Sequence, residues 1–421
     1  GRRAGAPSPQ ARHARAHVAV AALTAAAAGL DNGVGQAPLM GYSTWNDLGC
    51  NHVSADAVRR VADAIVANGL DQLGYRYVNL DDCWANDRDA QGDLQPDPRK
   101  FPEGMKAVAD YVHSKGLKFG LYTDRGLWTC AARPGSAGRE AGDVRTFARW
   151  GVDYLKVDSC NAPKDPKAAI SEYVKIRDAL NSTGRPIWYA LCGWAPWYAE
   201  VGRALGNSWR IAHDLNGFRE MWNSVAINSR LHRFAGPGAW NDPDGLIGSS
   251  ERSRVQLLPH QSRTQFALWS IMAAPLVLGL DPGAMSPYDR ETYTNREVIA
   301  VNQDGLHQQG FVLWENCPQQ SITELNEQAS SYPPVPSCQQ LWARPLLGGD
   351  WAVAMVNWAD TTTLVAVGSA ELKRMGLAAG ARVRDLWQQR DLGAQGPGFR
   401  AHVRATGGSE LFRFSPRHFF V

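Results

Sequence analysis

Eight short apolar segments recur along the chain from about residue 37, and each ends in a polar or acidic residue before a stretch with helical features. The stretch from Ser54 to Leu70 has apolar residues at helical spacing, and Ser54 is a suitable N-cap. Alternating strands and helices predict a parallel sheet. The predicted strands are Leu39–Trp45, Tyr75–Asp82, Lys118–Asp124, Tyr154–Cys160, Pro186–Gly193, Ser208–Asp214, Ala239–Asp244 and Pro275–Leu280.

Eight such units in about 270 residues have the size of a (β/α)8 barrel, the TIM barrel. An open doubly wound sheet is the alternative. No G-x-G-x-x-G sequence follows the first strand, which disfavours a nucleotide-binding fold. We therefore predict a (β/α)8 barrel, of class α/β, over residues 31–306.

The pattern changes after about Asp304, where short alternating segments are separated by Gly, Pro and Asp. This pattern predicts a C-terminal antiparallel β-sandwich over residues 307–421, which we expect to pack on the barrel. Cys317 and Cys338 flank a polar insert and could staple it. The predicted strands are Leu341–Arg344, Trp351–Trp358, Thr361–Val367, Arg382–Trp387, Phe399–Val403 and Leu411–Phe414.

Residues 1–30 contain no Asp or Glu, and their four arginines precede an apolar run from Val18 to Leu30. A basic segment followed by a short apolar run predicts a secretory signal, and hence an extracellular, vacuolar or lysosomal protein. An organellar transit peptide and an unstructured leader are the alternatives. Seven cysteines agree with an oxidising compartment, and their odd number leaves at least one thiol unpaired within the chain.

The composition excludes several classes of partner. The formal net charge is only +3, and no long basic stripe follows the first residues, so we expect no nucleic acid. The sequence contains no run of about 18 apolar residues, so we expect no membrane-spanning segment. Close cysteine pairs and H-E-x-x-H are absent, and the faint calcium-loop pattern from Asp87 has Pro98 where Glu is needed. We therefore expect no metal and no cofactor. The oligomeric state is left open.

Charged and aromatic residues gather at the predicted strand ends, where barrel active sites lie. Buried carboxylates are costly unless they are paired or used, and ionised carboxylates accept hydrogen bonds from hydroxyl groups. Their number therefore indicates a ligand rich in hydroxyl groups, such as a sugar. These residues are Trp45, Asp81, Asp82, Tyr122, Asp124, Lys156, Asp158, Cys192, Arg210, Asp214, Asp242 and Asp244.

Two of these carboxylates are candidates for catalysis. Lys156 and Asp158 lie two apart on one strand and therefore face the same side, where the ammonium should lower the pKa of the carboxyl. An ionised carboxylate suits a nucleophile, although a structural ion pair is an equal alternative. Asp214, near Arg210, is a candidate proton donor. Two carboxylates at one pyranose are the minimum for glycoside hydrolysis.

Taken together, the segments resemble glycoside hydrolase family 27, the α-galactosidases and α-N-acetylgalactosaminidases. The resemblance runs over nearly the whole chain from about Leu30, and the order and spacing of its motifs are specific. The motifs are Ala37-Pro38-Leu39-Met40-Gly41-Tyr42 with Trp45-Asn46, Asp81-Asp82-Cys83-Trp84, Phe119-Gly120-Leu121-Tyr122-Thr123-Asp124, Tyr154-Leu155-Lys156-Val157-Asp158-Ser159-Cys160, Ser208-Trp209-Arg210-Ile211 up to Asp214, and Trp240-Asn241-Asp242-Pro243-Asp244.

The resemblance implies a retaining two-step mechanism without a cofactor, with Asp158 as the nucleophile and Asp214 as the acid/base. Asp81 and Asp82 match the pair that binds the 4-OH and 6-OH of galactose. The other implied sugar contacts are Trp45, Tyr122, Lys156, Cys160, Gly193, Trp194, Arg210 and Asp244. The implied barrel disulfides are Cys50–Cys83 and Cys130–Cys160, which leaves Cys317–Cys338 as a third pair and Cys192 free.

Two positions depart from the family pattern. Gly193 stands where many α-galactosidases have Glu in the loop that reads the 2-position, and Gly245 stands where Met is common. We expect Gly193 to leave room for a 2-acetamido group or to let another residue do the reading, although Pro196 and Trp197 are bulky neighbours. The expected activity is an α-galactosidase for oligosaccharides or glycoconjugates. The alternatives are α-N-acetylgalactosaminidase, β-L-arabinopyranosidase and a non-catalytic galactose-binding protein.

Overall fold

The structure is a computed structural model that describes residues 30, 32–251, 254–321, 325 and 334–417. The predicted leader, residues 1–30, lies outside the described residues except for Leu30. The first ten strands are β1 (Met40–Ser43), β2 (Tyr77–Asn79), β3 (Ala85–Arg88), β4 (Leu94–Pro96), β5 (Lys118–Asp124), β6 (Tyr154–Asp158), β7 (Trp188–Leu191), β8 (Ser208–Arg210), β9 (Trp240–Asp242) and β10 (Leu276–Leu278).

Helices separate the strands of this region. The helices α1 (Thr44–Asp47) and α2 (Gly49–His52) are single turns that directly follow β1. The others are α3 (Ala55–Ala67), α4 (Gly104–Ser114), α5 (Glu140–Trp150), α6 (Pro166–Ser182), α7 (Tyr198–Leu205), α8 (Phe218–Asn228), α9 (Pro259–Ile271), α10 (Pro287–Tyr293) and α11 (Arg296–Asn302).

Eight strands of the described chain form one parallel sheet in the order β10-β1-β2-β5-β6-β7-β8-β9. Leu246 closes the ring, because it forms a parallel bridge with Leu278 of β10. Its N–H donates to the Val277 carbonyl at 2.7 Å, and its own carbonyl accepts from the N–H of Gly279 at 2.8 Å. The predicted (β/α)8 barrel is confirmed. The hairpin β3–β4 is an insertion that the sequence analysis did not predict.

The helix α3 illustrates why these elements form. The hydroxyl of Ser54 accepts a hydrogen bond from the N–H of Ala57 at 3.2 Å, which caps the helix as predicted. Val58, Val61 and Ile65 lie on one face of α3 and are buried in the main core. The burial of this apolar face, more than helix propensity, holds the helix against the barrel.

The C-terminal region is built from eight described strands and one short helix. An antiparallel sheet has the order β11-β12-β13-β18-β15-β16, and a ribbon of β14 and β17 packs across it. This is the predicted β-sandwich. The elements are β11 (Phe311–Glu315), β12 (Gln339–Pro345), β13 (Trp351–Asn357), β14 (Thr363–Val367), α12 (Ser369–Arg374), β15 (Ala381–Asp385), β16 (Arg390–Gln395), β17 (Phe399–Val403) and β18 (Gly408–Pro416).

The other face of this sheet packs on the barrel, chiefly against α9. Arg344 of β12 is fully buried at this junction. Its guanidinium donates to the carbonyls of Ser270 and Asn302, at 2.7 and 3.0 Å, in the last turns of α9 and α11. Helix ends leave carbonyls short of backbone donors, so the arginine adds a donor from the second domain to the ends of two barrel helices. The predicted domain limits at 306 and 307 stay a prediction.

Disulfides join Cys50 to Cys83, Cys130 to Cys160 and Cys317 to Cys338 in the described chain, which are the pairs that the family resemblance implies. The thiol of Cys192 is free and buried. None of the helices among the described residues has the length and apolar character needed to cross a bilayer.

Candidate active site

Two adjoining hollows open at the carboxyl ends of the barrel strands. The outer cavity has a volume of about 360 Å³ and the deep cavity about 60 Å³. Both are lined by Trp45, Asp81, Tyr122, Lys156 and Asp214. The outer cavity is also lined by Cys130, Asp158, Cys160, Trp194, His213, Asn216 and Glu220, and the deep cavity by residues that include Asn46, Asn79, Tyr154, Cys192, Arg210, Asp242, Asp244 and Gly245.

Asp158 ends β6 and is only 4% exposed. One carboxylate oxygen accepts the N–H of Ser159 at 2.9 Å, and the other accepts the hydroxyl of Tyr122 at 2.9 Å. The Cys130–Cys160 disulfide lies beside it, with Cys130 Sγ 3.4 Å from Asp158 Oδ2. Burial raises the pKa of Asp158 to about 7, against the opposing charge of Lys156.

Lys156 shares the cavity-facing side of β6 with Asp158, as the strand alternation predicts. Its Nζ lies 2.8 Å from Asp81 Oδ2, however, and makes that ion pair across the barrel. The expectation that Lys156 holds the pKa of Asp158 below its usual range is therefore wrong for the free site, because burial of Asp158 outweighs the ammonium.

Asp214 lies beyond β8, and its side chain is 46% exposed to the cavity. Arg210 donates to Asp214 Oδ1 at 2.9 Å and also lies 3.1 Å from Asp244 Oδ1. Burial favours the neutral acid, but Arg210 and Lys156 outweigh it and lower the pKa of Asp214. Asp244 also accepts the N–H of Leu215 at 2.9 Å, which fixes the chain next to Asp214.

The two neighbouring aspartates of the predicted 4-OH and 6-OH pair turn apart. Asp81 lines both hollows, whereas Asp82 lines neither. The carboxylate of Asp82 accepts hydrogen bonds from the Thr129 hydroxyl and the N–H groups of Cys83 and Ala131, at 2.6 to 2.9 Å. Because successive side chains of an extended chain point to opposite sides, Asp82 anchors the loop of Thr129 instead of facing the hollow.

Asp124, another of the acidic residues at the predicted strand ends, also has a structural role. Its carboxylate accepts the N–H of Gly126 at 2.6 Å and of Cys160 at 2.8 Å, and it lines neither hollow. It thereby joins the loop after β5 to the loop after β6. Asp242 and Asp244, by contrast, both line the deep cavity, where burial raises the pKa of Asp244 to about 6.

Gly193 does not leave the room that the sequence analysis expected. A Cβ atom at this position would lie 2.0 Å from the ring of Tyr198, so the ring already fills that space. Gly193 lines neither hollow, while its neighbour Trp194 lines the outer one. The proposed opening for a 2-acetamido group is therefore absent here, and Tyr198 is the physical reason. Gly245 lines the deep cavity, where a Cβ would meet the Val277 carbonyl at 3.1 Å.

Three residues of the outer cavity were missed by the sequence analysis: His213, Asn216 and Glu220. They lie in the β8–α8 loop and the first turn of α8. The signal that could have found them is their position directly after a barrel strand, since such loops build the mouth of the site.

One group of potential metal ligands occurs among the described residues: Asp124, Cys130, Asp158 and Cys160. The two sulfurs are bonded to each other, so they cannot act as thiolate ligands. The remaining two carboxylates have protein hydrogen-bond partners. This donor set does not fit a metal ion.

Comparison with known proteins decides the family. The family described as "Alpha galactosidase A" matches residues 37–304, and the "Alpha galactosidase C-terminal beta sandwich domain" matches residues 337–414. The chain belongs to the melibiase-like family, glycoside hydrolase family 27. It is 41% identical over 388 residues to Alpha-galactosidase 3 of Arabidopsis thaliana, covering 89% of this chain and 81% of the relative.

Other family members agree. Alpha-galactosidase of Cyamopsis tetragonoloba is 40% identical over 368 residues, which is 85% of this chain and 81% of that protein. The crystal structure of alpha-galactosidase I from Mortierella vinacea superposes with a TM-score of 0.79 at 31% identity, covering 92% of this chain and 98% of the other. The protein is a glycoside hydrolase with α-galactosidase activity on galactosides.

Proposed function

We propose that the protein cleaves terminal α-linked galactose by double displacement, with Asp158 as the nucleophile and Asp214 as the acid/base. The observation that carries this assignment is that both carboxylates line the same outer cavity. Retaining glycosidases need two carboxyl groups about 5–5.5 Å apart, one on each side of the scissile bond. We expect the Asp158 and Asp214 carboxyl groups to have that separation when galactose is bound.

In the first step, an oxygen of Asp158 attacks the anomeric carbon while Asp214 gives its proton to the glycosidic oxygen. The bond to the leaving group breaks, and a galactosyl ester of Asp158 forms with inverted configuration. In the second step, Asp214 removes a proton from water, which attacks the same carbon and frees Asp158. Two inversions give net retention.

The residues around the reacting carbon have roles that fit a galactose ring. The Tyr122 hydroxyl, 2.9 Å from Asp158 Oδ2, orients the nucleophile. The ion pair of Asp81 and Lys156 lies at the border of the two hollows, where the Asp81 carboxylate can accept hydrogen bonds from sugar hydroxyls and the Lys156 ammonium can donate to them. Trp45 presents an aromatic surface to both hollows, which suits the apolar face of the sugar. Asp82 supports the outer cavity indirectly, because it holds Thr129 and Ala131 on either side of Cys130, which lines that cavity.

The protonation states of the free site differ from those that the reaction requires. Burial places the proton preferentially on Asp158, whose pKa is about 7, whereas the chemistry needs Asp158 ionised and Asp214 protonated. The reactive arrangement is therefore a minor form of the singly protonated pair. A bound sugar that donates hydrogen bonds to Asp158 stabilises its ionised form and shifts the proton towards Asp214.

The substrates we propose are galactose-containing oligosaccharides or glycoconjugates, and the compartment is the secretory pathway. Disulfide bonds support an oxidising environment. The α-N-acetylgalactosaminidase alternative lacks a supporting feature at the 2-position, since Tyr198 fills the space beside Gly193.

The decisive experiment uses azide rescue with an activated aryl α-galactoside. Asp158→Ala should lose turnover, and azide should restore it with β-galactosyl azide as the product, because only one inversion occurs. Asp214→Ala with azide should give the α-azide, because the ester on Asp158 still forms. NMR of the products identifies the anomer, and Asp56→Ala on the exposed face of α3 is the control. An α-azide from Asp158→Ala would remove that residue from the nucleophile's role.

A further inference from the structure

Helix α9 holds the loop that follows β9, although the helix itself lines neither hollow. Trp269 and Gln265 lie four residues apart, and hence on one face of α9, and both are fully buried. The indole N–H of Trp269 donates to the Asp244 carbonyl at 2.7 Å. The side-chain amide of Gln265 donates to the Gly245 carbonyl at 3.1 Å, and its oxygen accepts the N–H of Ile247 at 3.1 Å. Two side chains of one helix thus fix the backbone of this loop at three points.

The loop needs such support because Asp244 has an unfavourable backbone conformation. Its φ is +84°, in the left-handed region that residues other than glycine rarely adopt. A residue remains in this region only where the surrounding structure imposes the conformation. The N–H of Asp244 donates to Asp242 Oδ1 at 2.8 Å, and its carbonyl accepts from Trp269. The hydrogen bonds from α9 therefore supply part of the constraint that keeps Asp244 in place.

Asp244 in turn holds the surroundings of Asp214 at two points. Arg210 lies 3.1 Å from Asp244 Oδ1 and donates to Asp214 Oδ1 at 2.9 Å. The other carboxylate oxygen of Asp244 accepts the N–H of Leu215, the residue after Asp214, at 2.9 Å. Asp244 therefore fixes both the cation that pairs with Asp214 and the backbone next to it.

Arg210 is shared between two carboxylates, and this sharing affects the proton of Asp214. Burial of Asp214 favours its neutral form, but Arg210 and Lys156 outweigh burial and lower its pKa. The charge of Asp244 acts against this lowering, because two neighbouring carboxylates repel each other. If Asp244 moved away, Arg210 would pair with Asp214 alone. The fraction of enzyme in which Asp214 is protonated would then fall, and with it the rate of proton transfer to the leaving group.

We propose that Trp269 and Gln265 are positioning residues for Asp214, because they hold the loop of Asp244 that keeps Arg210 and Leu215 beside it. The inference rests on the proposed function, in which Asp214 protonates the glycosidic oxygen. Trp269 and Gln265 line neither hollow, so each acts on the reaction only through this loop. Their loss should consequently be felt most by substrates whose leaving group needs a proton.

The test measures kcat/KM for aryl α-galactosides whose leaving groups range from dinitrophenol to phenol. Phenol needs a proton from Asp214 to leave, whereas dinitrophenol leaves readily without one. Trp269→Phe removes the indole N–H and keeps an aromatic ring. It should lower kcat/KM about tenfold for the phenyl galactoside and less than about twofold for the dinitrophenyl galactoside. Gln265→Met, which removes both hydrogen bonds at similar length, should act in the same direction and tests the proposal even if Trp269→Phe does not fold.

Two buried residues provide matched controls. The indole N–H of Trp240, at the start of β9, donates to the Gly35 carbonyl, also at 2.7 Å. The side chain of Gln261 on α9 donates to the Thr406 carbonyl and accepts the N–H of Leu258, both at 3.0 Å. Trp240→Phe and Gln261→Met remove comparable hydrogen bonds that do not involve the loop of Asp244. They should lower the melting temperature without making kcat/KM more dependent on the leaving group.

Asp214→Ala gives the reference, since it lacks the acid altogether and should show the steepest dependence on the leaving group. If it does, equal losses on every aryl galactoside in Trp269→Phe or Gln265→Met would remove that residue from the positioning role. An equally steep dependence in the two control variants would overturn the proposal as well. If instead Asp214→Ala has the dependence of the wild type, the proposed acid/base is wrong, whatever the variants of α9 show.

Discussion

Replacing Asp158 by asparagine should abolish turnover and at the same time make the protein more stable at neutral and alkaline pH. The carboxyl is buried, and its pKa rises from 3.8 to about 7 on folding. Asparagine has the same shape and can keep both contacts, since its oxygen accepts the Ser159 N–H and its amide donates to the Tyr122 hydroxyl.

The size of the stability gain follows from the linkage between protonation of Asp158 and folding. A pKa raised by about three units corresponds to about 4 kcal/mol, because one unit is worth about 1.4 kcal/mol. The sign is that of an acid whose ionised form is disfavoured in the folded protein. The wild type has no penalty well below pH 3.8, where Asp158 is protonated in both states, and loses stability as the pH rises from there to about 7. The advantage of Asp158→Asn should therefore be below about 1 kcal/mol at pH 4 and approach about 4 kcal/mol above pH 7.

Guanidinium unfolding with the disulfides intact measures this difference at pH 4, 5.5, 7 and 8 for the wild type and the variant. Asp56→Asn, at an exposed position of α3, is the control, and its difference from the wild type should not change across this range. A stability difference for Asp158→Asn that stays constant between pH 4 and 8 would refute the reasoning, because it would mean that burial does not disfavour the charge.

Three further predictions concern activity, packing and metals. The pH profile of kcat/KM should be a bell that falls above about pH 7, since the last proton of the carboxyl pair is then lost, and a profile still rising at pH 8 would contradict this. Gly193→Ala should cost about 1–3 kcal/mol of unfolding free energy, because its Cβ would meet the ring of Tyr198, whereas Gly142→Ala, with open space around it, should cost none in thermal unfolding. Dialysis against EDTA should leave initial rates on an aryl α-galactoside unchanged, and a loss that Ca²⁺ or Mg²⁺ restores would reveal a cation that the donor set does not suggest.

The fold was predictable because its determinants are local and repeated. Each barrel strand is a short apolar run with a polar end, and each intervening helix has an apolar face, so the period itself identifies the architecture. The predicted strands run too far at their carboxyl ends, since Ser208–Asp214 shortens to Ser208–Arg210. The extra residues of this segment lie in the loop after β8 and include Asp214, the proposed acid/base. The strand β16, Arg390–Gln395, was missed because its sequence is polar and contains Gly393.

The sequence could predict those residues of the site that gather there because they lie at the ends of barrel strands. Asp158, Asp214, Asp81, Lys156 and Trp45 meet at one cavity, as their places at strand ends indicate. The sequence could not show which residue each of these side chains would pair with or donate a hydrogen bond to. Lys156 pairs with an aspartate on another strand, and the orientation of Asp82 depends on a loop almost 50 residues away. Contacts between residues so far apart in the chain produce no periodic pattern in the sequence.

The hydrogen bonds of the Arg344 guanidinium make the stability of the barrel depend on the C-terminal domain. Expressed without its C-terminal partner, the barrel would expose an apolar flank and leave the last carbonyls of α9 and α11 to water. The catalytic half should accordingly fail to accumulate as an isolated fragment, although every active-site residue belongs to it. Variants of this enzyme that are shortened from the C-terminus should therefore have to retain Arg344. A screen for smaller active variants should recover only chains that contain this arginine.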